Sequence, residues 1–396
     1  MKKVIMIVII LFMCSCKYDE YKMPEDVYIK LNSNIFEVYD QNIIINDLIK
    51  KSNVKILNKN EKINTNKLGE FAKTIKYEYK KRKYKYNIEY FIKDMKEPIF
   101  LSASEYRIIT VGDDINLCDN LNFADNYDND VKCSIEGNYD INTVGEYKLK
   151  YVLKDKENNK NEREFVLSVK DKDYKSNNTS NNYQMDRIPF SKAISKYKTK
   201  DTMIGIDVSY WQQNIDFKKV KEAGCEFVII RLGVNSDIDK TIDPDSFYEK
   251  NIKLAKEAGL KVGVYVYTSA ITAKISKEHA KWVIKILDKQ KLDFPIAFDW
   301  ENWSKFRSYK ISTYDLTNSF ISFKNEIEKH GYKAMLYSSK NYLEKIWMFN
   351  DKYDVWLAHY TNETNYEGKY IMWQMGNTGR IDGITGDVDI DIYYKE

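Results

Sequence analysis

Acidic side chains recur at two-residue spacing in two places along the chain. Asp299 and Glu301 flank Trp300, and Asp387, Asp389 and Asp391 alternate with Val388 and Ile390. In an extended chain residues i and i+2 point to the same side, so each group presents its carboxylates to one surface. Asp207, near the end of the apolar run 204–208, adds a third segment. Carboxylates crowded together raise one another's pKa, and a carboxylic acid that keeps its proton near neutrality can donate it. Taken singly, each of these acids reads as an ordinary cap at the end of a strand. As a set they point to acid catalysis. Aromatic residues crowd the same stretches: Tyr210, Trp211, Tyr265, Tyr267, Trp300, Trp303, Tyr337, Trp356, Tyr360 and Trp373. Flat ring faces suit the C–H faces of pyranose sugars, while ring edges hydrogen bond. Some of these rings must simply fill core.

The elements that have to position these residues follow from periodicity. From residue 203 onward, short apolar strands are predicted at 204–208, 227–232, 262–267, 295–300, 334–337, 355–359, 370–375 and 388–393. Helices are predicted at 216–223, 245–258, 276–289 and 312–330, with Gly224, Gly259 and Gly331 as stops. Alternating strand and helix argues for a parallel sheet. Eight strands with helices dwindling toward the end argue for closure into an irregular α/β barrel, where chemistry sits at the C-terminal ends of the strands. Asp207, Asp299 and Glu301 fall at such ends.

The segments Gly205-Ile206-Asp207-Val208-Ser209, Trp211-Gln212, Phe227-Val228-Ile229-Ile230-Arg231, Gly263-Val264-Tyr265 and Asp299-Trp300-Glu301 closely resemble glycoside hydrolase family 25, the lysozyme-like muramidases. So do Tyr337-Ser338, Trp356-Leu357-Ala358-His359-Tyr360, Trp373-Gln374, Gly383-Ile384 and Asp387-Val388-Asp389-Ile390, in order and spacing over about 201–396. The resemblance implies a (β/α)5β3 TIM-like barrel. It implies hydrolysis of the β-1,4 bond between N-acetylmuramic acid and N-acetylglucosamine in peptidoglycan, with no cofactor and no metal. Glu301 would be the general acid, Asp299 would assist the substrate's own N-acetyl group, and Asp207 and Asp389 would complete the catalytic carboxylates. Substrate contacts would fall to Tyr210, Arg231, Tyr265, Tyr267, Trp300, Tyr337, Trp356, Tyr360, Trp373 and Gln374. Asn214, Val266, Met375 and Asp391 depart from the residues usual in that family, and none of these departures removes a carboxylate. The alternative reading is a catalytically weak, wall-tethered glycan-binding or adhesin-like surface protein.

The amino-terminal half reads as address and spacer. Lys2 and Lys3 precede ten apolar residues, 4–13, too few to span about 30 Å of hydrocarbon as a helix. Ser15 before Cys16 resembles a bacterial lipoprotein signal. That implies a signal peptide over 1–15, lipidation at Cys16, a tether over 16–26, and a place on the extracellular side of the membrane; an ordinary secretory signal is the other reading. Residues 27–98 and 99–171 look like a repeated all-β unit: Ile63-Asn64-Thr65 with Gly69-Glu70-Phe71 returns as Ile141-Asn142-Thr143 with Gly145-Glu146-Tyr147. Tyr147, Leu149, Tyr151 and Leu153 alternate as in a half-buried strand, and the second unit resembles bacterial immunoglobulin-like surface domains. Cys118 and Cys133 could pair outside the cell or remain free buried thiols, and Cys225 reads as core. Segment 51–96 holds 14 Lys and Arg against 5 Asp and Glu. Such a face could meet an anionic wall polymer, and a plain solvated lysine surface explains it as well. Residues 172–200 read as linker.

Composition excludes other classes. The 396 residues carry 63 basic and 59 acidic groups, a balance that gives no footprint for nucleic acid. Three His and five Cys, without Cys-x-x-Cys or His-x-x-x-His, offer no metal cluster. No Ser/His/Asp or Cys/His triad is visible, which argues against peptidase or amidase chemistry.

Overall fold

The computed structural model describes residues 23–119, 121–175, 186–238 and 241–395. The signal segment, Cys16 and the linker stretch 176–182 lie outside them. The chain divides into two compact units, 1–96 and 97–396.

In the first unit, Ile35–Glu37, Arg82–Lys93, Gly69–Tyr79 and Lys55–Ile56 form a four-stranded sheet in that order, and Ile29–Leu31 pairs with Ile49–Ser52. The second unit opens with the same arrangement. Tyr106–Thr110, Lys160–Lys170, Gly145–Lys154 and Lys132–Glu136 form its four-stranded sheet, and Ile99–Ser102 pairs with Asn122–Ala124. In both, a long hairpin is antiparallel and its second strand takes a parallel partner from the start of the unit. The repeat seen in the sequence is therefore a repeat of topology. Leu149, Tyr151 and Leu153 point into a core shared with Phe100, Phe123, Phe165 and Leu167, as the two-residue period requires. Cys118 and Cys133 form a disulfide across this unit.

The rest of the second unit is a closed barrel. Its strands are β1 (Thr202–Val208), β2 (Phe227–Val234), β3 (Lys261–Tyr267), β4 (Ile296–Asp299), β5 (Ala334–Ser339), β6 (Asp354–Ala358), β7 (Met372–Arg380) and β8 (Val388–Tyr394). Neighbours from β1 to β7 are parallel, and β8 closes the ring antiparallel to both β7 and β1. Five strands are each followed by a helix: α2 (Phe217–Glu222), α3 (Tyr248–Glu257), α4 (Ala273–Leu287), α5 (Thr313–Lys329) and α6 (Lys340–Lys345), with α1 (Phe190–Tyr197) preceding the barrel. The last three strands lack such helices, as expected from the short spacers between them.

Local chemistry explains the boundaries. Strands buried on both faces read as continuous apolar runs, as in β1 and β2. Ser312 caps α5 with Asp315 in a reciprocal box, and Gly331, at φ +86°, ends it. Gly205 lets β1 approach β2 closely, since a Cβ there would meet the Phe227 ring and carbonyl at 2.5 Å. Two expectations need correction. Helix α4 begins at Ala273 rather than 276 because Thr272 accepts from the Ile275 N–H as its cap. Residues 190–197 are not linker: α1 buries Phe190 and Ala193 against the barrel core, so the barrel domain starts before residue 201.

Side-chain parity along the strands makes two layers. One phase (Ile204, Ile206, Val228, Ile230) packs outward against the helices. The other (Met203, Phe227, Ile229, Met335, Trp356, Met372) fills the lumen. Among the described residues no helix is long and apolar enough to cross a membrane.

The disulfide generates a prediction. Cys118 and Cys133 lie 15 residues apart, and cross-linking a loop of that size restricts the unfolded chain by about 3 kcal/mol. The double variant Cys118→Ser/Cys133→Ser should unfold the Glu97–Lys170 region at lower denaturant, by roughly that amount. An unchanged unfolding midpoint, with the disulfide verified in the parent, would refute it.

Candidate active site

The lumen phase of the strands ends in polar residues at the C-terminal rim. Asp207 closes the lumen phase of β1, Asp299 ends β4, and Asp389 lies opposite Asp207 in the antiparallel β1–β8 register. Tyr267 and Tyr337 flank Asp299 in register from β3 and β5. Beyond β4 the alternation holds for two more residues: Trp300 turns into the outer core, while Glu301 shares a side with Asp299, near enough for its charge to act on it. The four carboxyls expected from sequence therefore meet at one rim. Asp387 does not join them; it pairs with Arg380 at 2.7 Å on the surface.

Burial dominates the electrostatics. It pushes Asp207, Asp299, Glu301 and Asp389 above the ordinary carboxylate range, with neighbouring negative charge adding to the effect at Asp207, Asp299 and Asp389. Asp389 reaches about 9, through burial first and the charge of Asp207 second. Glu301 as a residue stays exposed on the cleft, but enough protein surrounds its carboxyl to raise it. The charge of Glu301 adds to burial in raising Asp299. Asp299 Oδ1 is buried and has no hydrogen-bond partner among the described residues.

A fifth carboxyl, grouped with these acids by its spacing but given no catalytic role, joins the site. Asp391 is fully buried, accepts from Trp356 Nε1 at 2.9 Å, and lies close enough to Asp207 for its charge to raise that group. Its signal was the continued period of two after Asp389. Gln374 ties the network together. Its Nε2 donates to Asp207 Oδ2 at 2.7 Å, and its Oε1 accepts from the Tyr337 hydroxyl at 2.8 Å and the Tyr360 hydroxyl at 3.0 Å. Asn302, also not anticipated, donates to Ser269 Oγ at 2.8 Å and pins the turn after Glu301 to the loop after β3.

A cleft of about 470 Å³ opens here, lined by Glu301, Trp303, Tyr337, Tyr342, His359 and Tyr360. Trp303 stacks on Tyr342 with ring centroids 3.7 Å apart. A larger cavity of about 830 Å³ opens at the opposite, N-terminal ends of the strands around Phe294 and Tyr332, and holds none of the clustered carboxyls. Four of the residues expected to contact substrate serve otherwise. Trp300 and Trp373 have the outward parity and pack in the core behind the strands. Trp356 has the inward parity but is a floor, sealed under Tyr265 and Tyr337. Arg231 is taken by Asp245, at 2.8 Å, and its guanidinium lies 4.9 Å from the Tyr210 ring centroid as a support for that ring. Tyr210, Tyr265, Tyr267, Tyr337, Tyr360 and Gln374 remain around the rim, with Tyr210 and Tyr360 exposed.

The family model described as glycosyl hydrolases family 25 matches residues 206–384. An uncharacterized protein of Escherichia coli K12, YegX, is 29% identical over 202 residues, covering 48% of this chain and 70% of that protein. An autolytic lysozyme of Clostridium acetobutylicum is 28% identical over 191 residues, covering 48% of this chain and 55% of the lysozyme. Among solved structures, the modular autolysin LytC of Streptococcus pneumoniae, in complex with a synthetic peptidoglycan ligand, is 28% identical. That match covers 50% of this chain and 48% of LytC with a TM-score of 0.45. This chain thus spans about half the length of LytC. A family 25 glycosyl hydrolase from Bacillus anthracis is 20% identical, covering 50% of this chain and 90% of that one with a TM-score of 0.42. Residues 206–384 thus carry a domain that matches glycosyl hydrolases family 25, which supports a glycoside hydrolase.

The raised carboxyls make stability depend on pH. A group protonated more readily in the folded state than in the unfolded one costs nothing where both are protonated. It costs progressively more as pH rises from the unfolded value toward the folded one. For Asp389 that window runs from 3.8 to about 9. Asp389→Asn removes one such group, so its melting temperature should gain on the parent's as pH rises from 4 to 9. Parallel melting curves across that range would count against a buried, raised Asp389.

Proposed function

We propose that this protein cleaves the β-1,4 bond between N-acetylmuramic acid and N-acetylglucosamine in peptidoglycan. The observation that carries this reading is the Asp299–Glu301 pair, held on one side of the chain at the rim, with burial raising both carboxyls and Glu301 lining the cleft. A glycosidase needs an acid for the leaving oxygen and a second group to stabilise or trap the cation-like sugar. Glu301, at the exposed end of the pair, donates its proton to the glycosidic oxygen. Asp299 offers a buried acceptor oxygen that no protein donor satisfies. A buried acceptor of this kind calls for a donor, and the N–H of a substrate acetamido group supplies one. Accepting it would orient the acetamido oxygen toward the anomeric carbon. Asp207 and Asp389, with Asp391 behind them, crowd the rim with carboxyls, so that each further ionisation is resisted and protons are held in the cluster. Tyr210, Tyr265, Tyr267, Tyr337 and Tyr360 supply ring faces and hydroxyls along the sugar path. A purely glycan-binding protein has no use for several raised carboxyls, which cost stability at neutral pH, and this favours the enzymatic reading.

The two β units are read as immunoglobulin-like spacers, and Cys16 as a lipidated residue holding the enzyme on the outer face of the membrane, within reach of wall glycan. A basic face in 51–96 would add affinity for anionic wall polymers.

Glu301→Gln keeps shape and hydrogen bonding but cannot give up a proton. Turnover of purified peptidoglycan should fall about 10²- to 10⁴-fold, and Asp299→Asn should show a loss of similar order. Reducing-end analysis of parent products should show new muramic acid ends; new glucosamine ends, or full activity in Glu301→Gln, would overturn the assignment. Cys16→Ser should move the protein from the membrane fraction to the medium, and retention at the membrane would refute lipidation there.

A further inference from the structure

The segment that follows the catalytic pair has little to hold its own shape. Residues 302–311 comprise one 3-10 turn, Trp303–Lys305, and a four-residue helix, Phe306–Tyr309, with Ser304, Lys305, Arg307, Ser308 and Lys310 exposed. From the barrel it is anchored by buried Phe306 and Ile311, by the Trp303 ring, which stacks on Tyr342 and meets Trp300 and Trp347 edge-on, and by the Asn302–Ser269 hydrogen bond. The remaining anchors come from the β unit at 97–171. Asn122 Nδ2 donates to the Trp303 carbonyl. Arg307 Nη1 donates to the Cys118 carbonyl at 3.0 Å, and its guanidinium lies 4.9 Å from the Phe123 ring centroid. Thr313 N–H, at the start of α5, donates to the Asp125 carbonyl at 2.8 Å. Leu101 and Ala124 extend the barrel's own hydrophobic core, which makes the contact a continuous packed joint.

These contacts lead to the acid in two steps. The Trp303 N–H donates to the Glu301 carbonyl at 2.8 Å, so the residue whose carbonyl Asn122 grips is tied through its N–H, in the preceding peptide, to the acid's backbone. Trp303 and Glu301 then both line the cleft. The gripping side is itself stiff. Cys118 is tied by the disulfide to the strand Lys132–Glu136, and Arg107 Nη1 holds the same loop through the Asp119 carbonyl at 3.0 Å.

We propose that the β unit next to the barrel is part of the scaffold of the active site, and that Asn122 and Arg307 are positioning residues. They hold Trp303, and through it Glu301, in register with the sugar. This rests on the hydrolase reading above for its consequence in catalysis, but not for the brace itself. Asn122 comes from outside the family-matched segment 206–384, so the barrel alone would lack this support.

The test uses the full mature chain and two variants from opposite sides of the joint. Asn122→Asp keeps the shape but replaces the donor with an acceptor facing the Trp303 carbonyl. Arg307→Ala removes the second grip, and Arg307→Lys restores a cation over Phe123. Amide hydrogen exchange read at 302–311 reports the brace without reference to activity. Both Asn122→Asp and Arg307→Ala should exchange faster there while the barrel strands stay protected, and Arg307→Lys should recover much of the protection. Misplacing a catalytic group by a fraction of an ångström is costly. Asn122→Asp and Arg307→Ala should therefore lose roughly ten-fold in kcat on soluble glycan fragments, with KM changed less. Unchanged exchange at 302–311 in both variants overturns the proposal. Faster exchange with unchanged kcat overturns its catalytic half. Should the parent itself fail to cleave peptidoglycan, the hydrolase reading falls, and the exchange experiment still decides whether the brace exists.

Discussion

Five carboxyl groups share one end of a barrel lumen with too little water to ionise them all, and much of the surrounding structure answers to that constraint. Asp207, Asp299, Asp389 and Asp391 lie on lumen-facing positions of β1, β4 and β8, and Glu301 continues the same parity one step past β4. The ring closure matters because β8 runs antiparallel to β1. It brings the beginning of the last strand to the rim where the parallel strands end, so Asp389 faces Asp207. An open sheet of the same strands would leave these two acids apart and close to their ordinary pKa values.

The supporting residues then fall into place. Gln374 bridges two tyrosine hydroxyls and Asp207 with its single amide, which fixes the amide's orientation from both ends. Trp356 uses its ring to seal the lumen and its N–H to satisfy Asp391. Arg231 is spent on Asp245, which also accepts from the Tyr210 N–H, so the exposed tyrosine stands on a buried ion pair. The strong carboxyl shifts come from this layered burial more than from any single neighbour. The β unit at 97–171 contributes from outside the barrel, gripping the turn that carries Trp303.

Much of the barrel was legible in sequence because its signals are local. Continuous apolar runs bounded by glycine mark strands buried on both faces, and Gly224, Gly259 and Gly331 all adopt the positive φ expected after helices. The i, i+2 rule was enough to put Asp299 and Glu301 on one side. The same rule turns Trp300 and Trp373 away from the sugar-facing side, against the expectation that they contact substrate. Trp300 alternates with inward Asp299 and Glu301, and Trp373 with inward Met372 and Gln374, so both face outward. Helix α1 was missed because its eight residues carry only two buried positions, Phe190 and Ala193, amid serine and lysine. Arg231 could not be placed because its partner Asp245, 14 residues on, lay in a predicted helix that in fact starts at Tyr248.

By itself the sequence determined the order and type of elements, the parity of the acids along their strands, the repeat in the amino-terminal half and the kinship of 206–384, since each depends on residues near one another in the chain or on motifs matched in order. Only the tertiary structure decided that Asp391 joins the carboxyl cluster, that Cys118 and Cys133 are bonded, and that Asn122 reaches a carbonyl 181 positions away. Those outcomes depend on which surfaces meet once the sheet has closed, and no local period encodes a meeting of that kind.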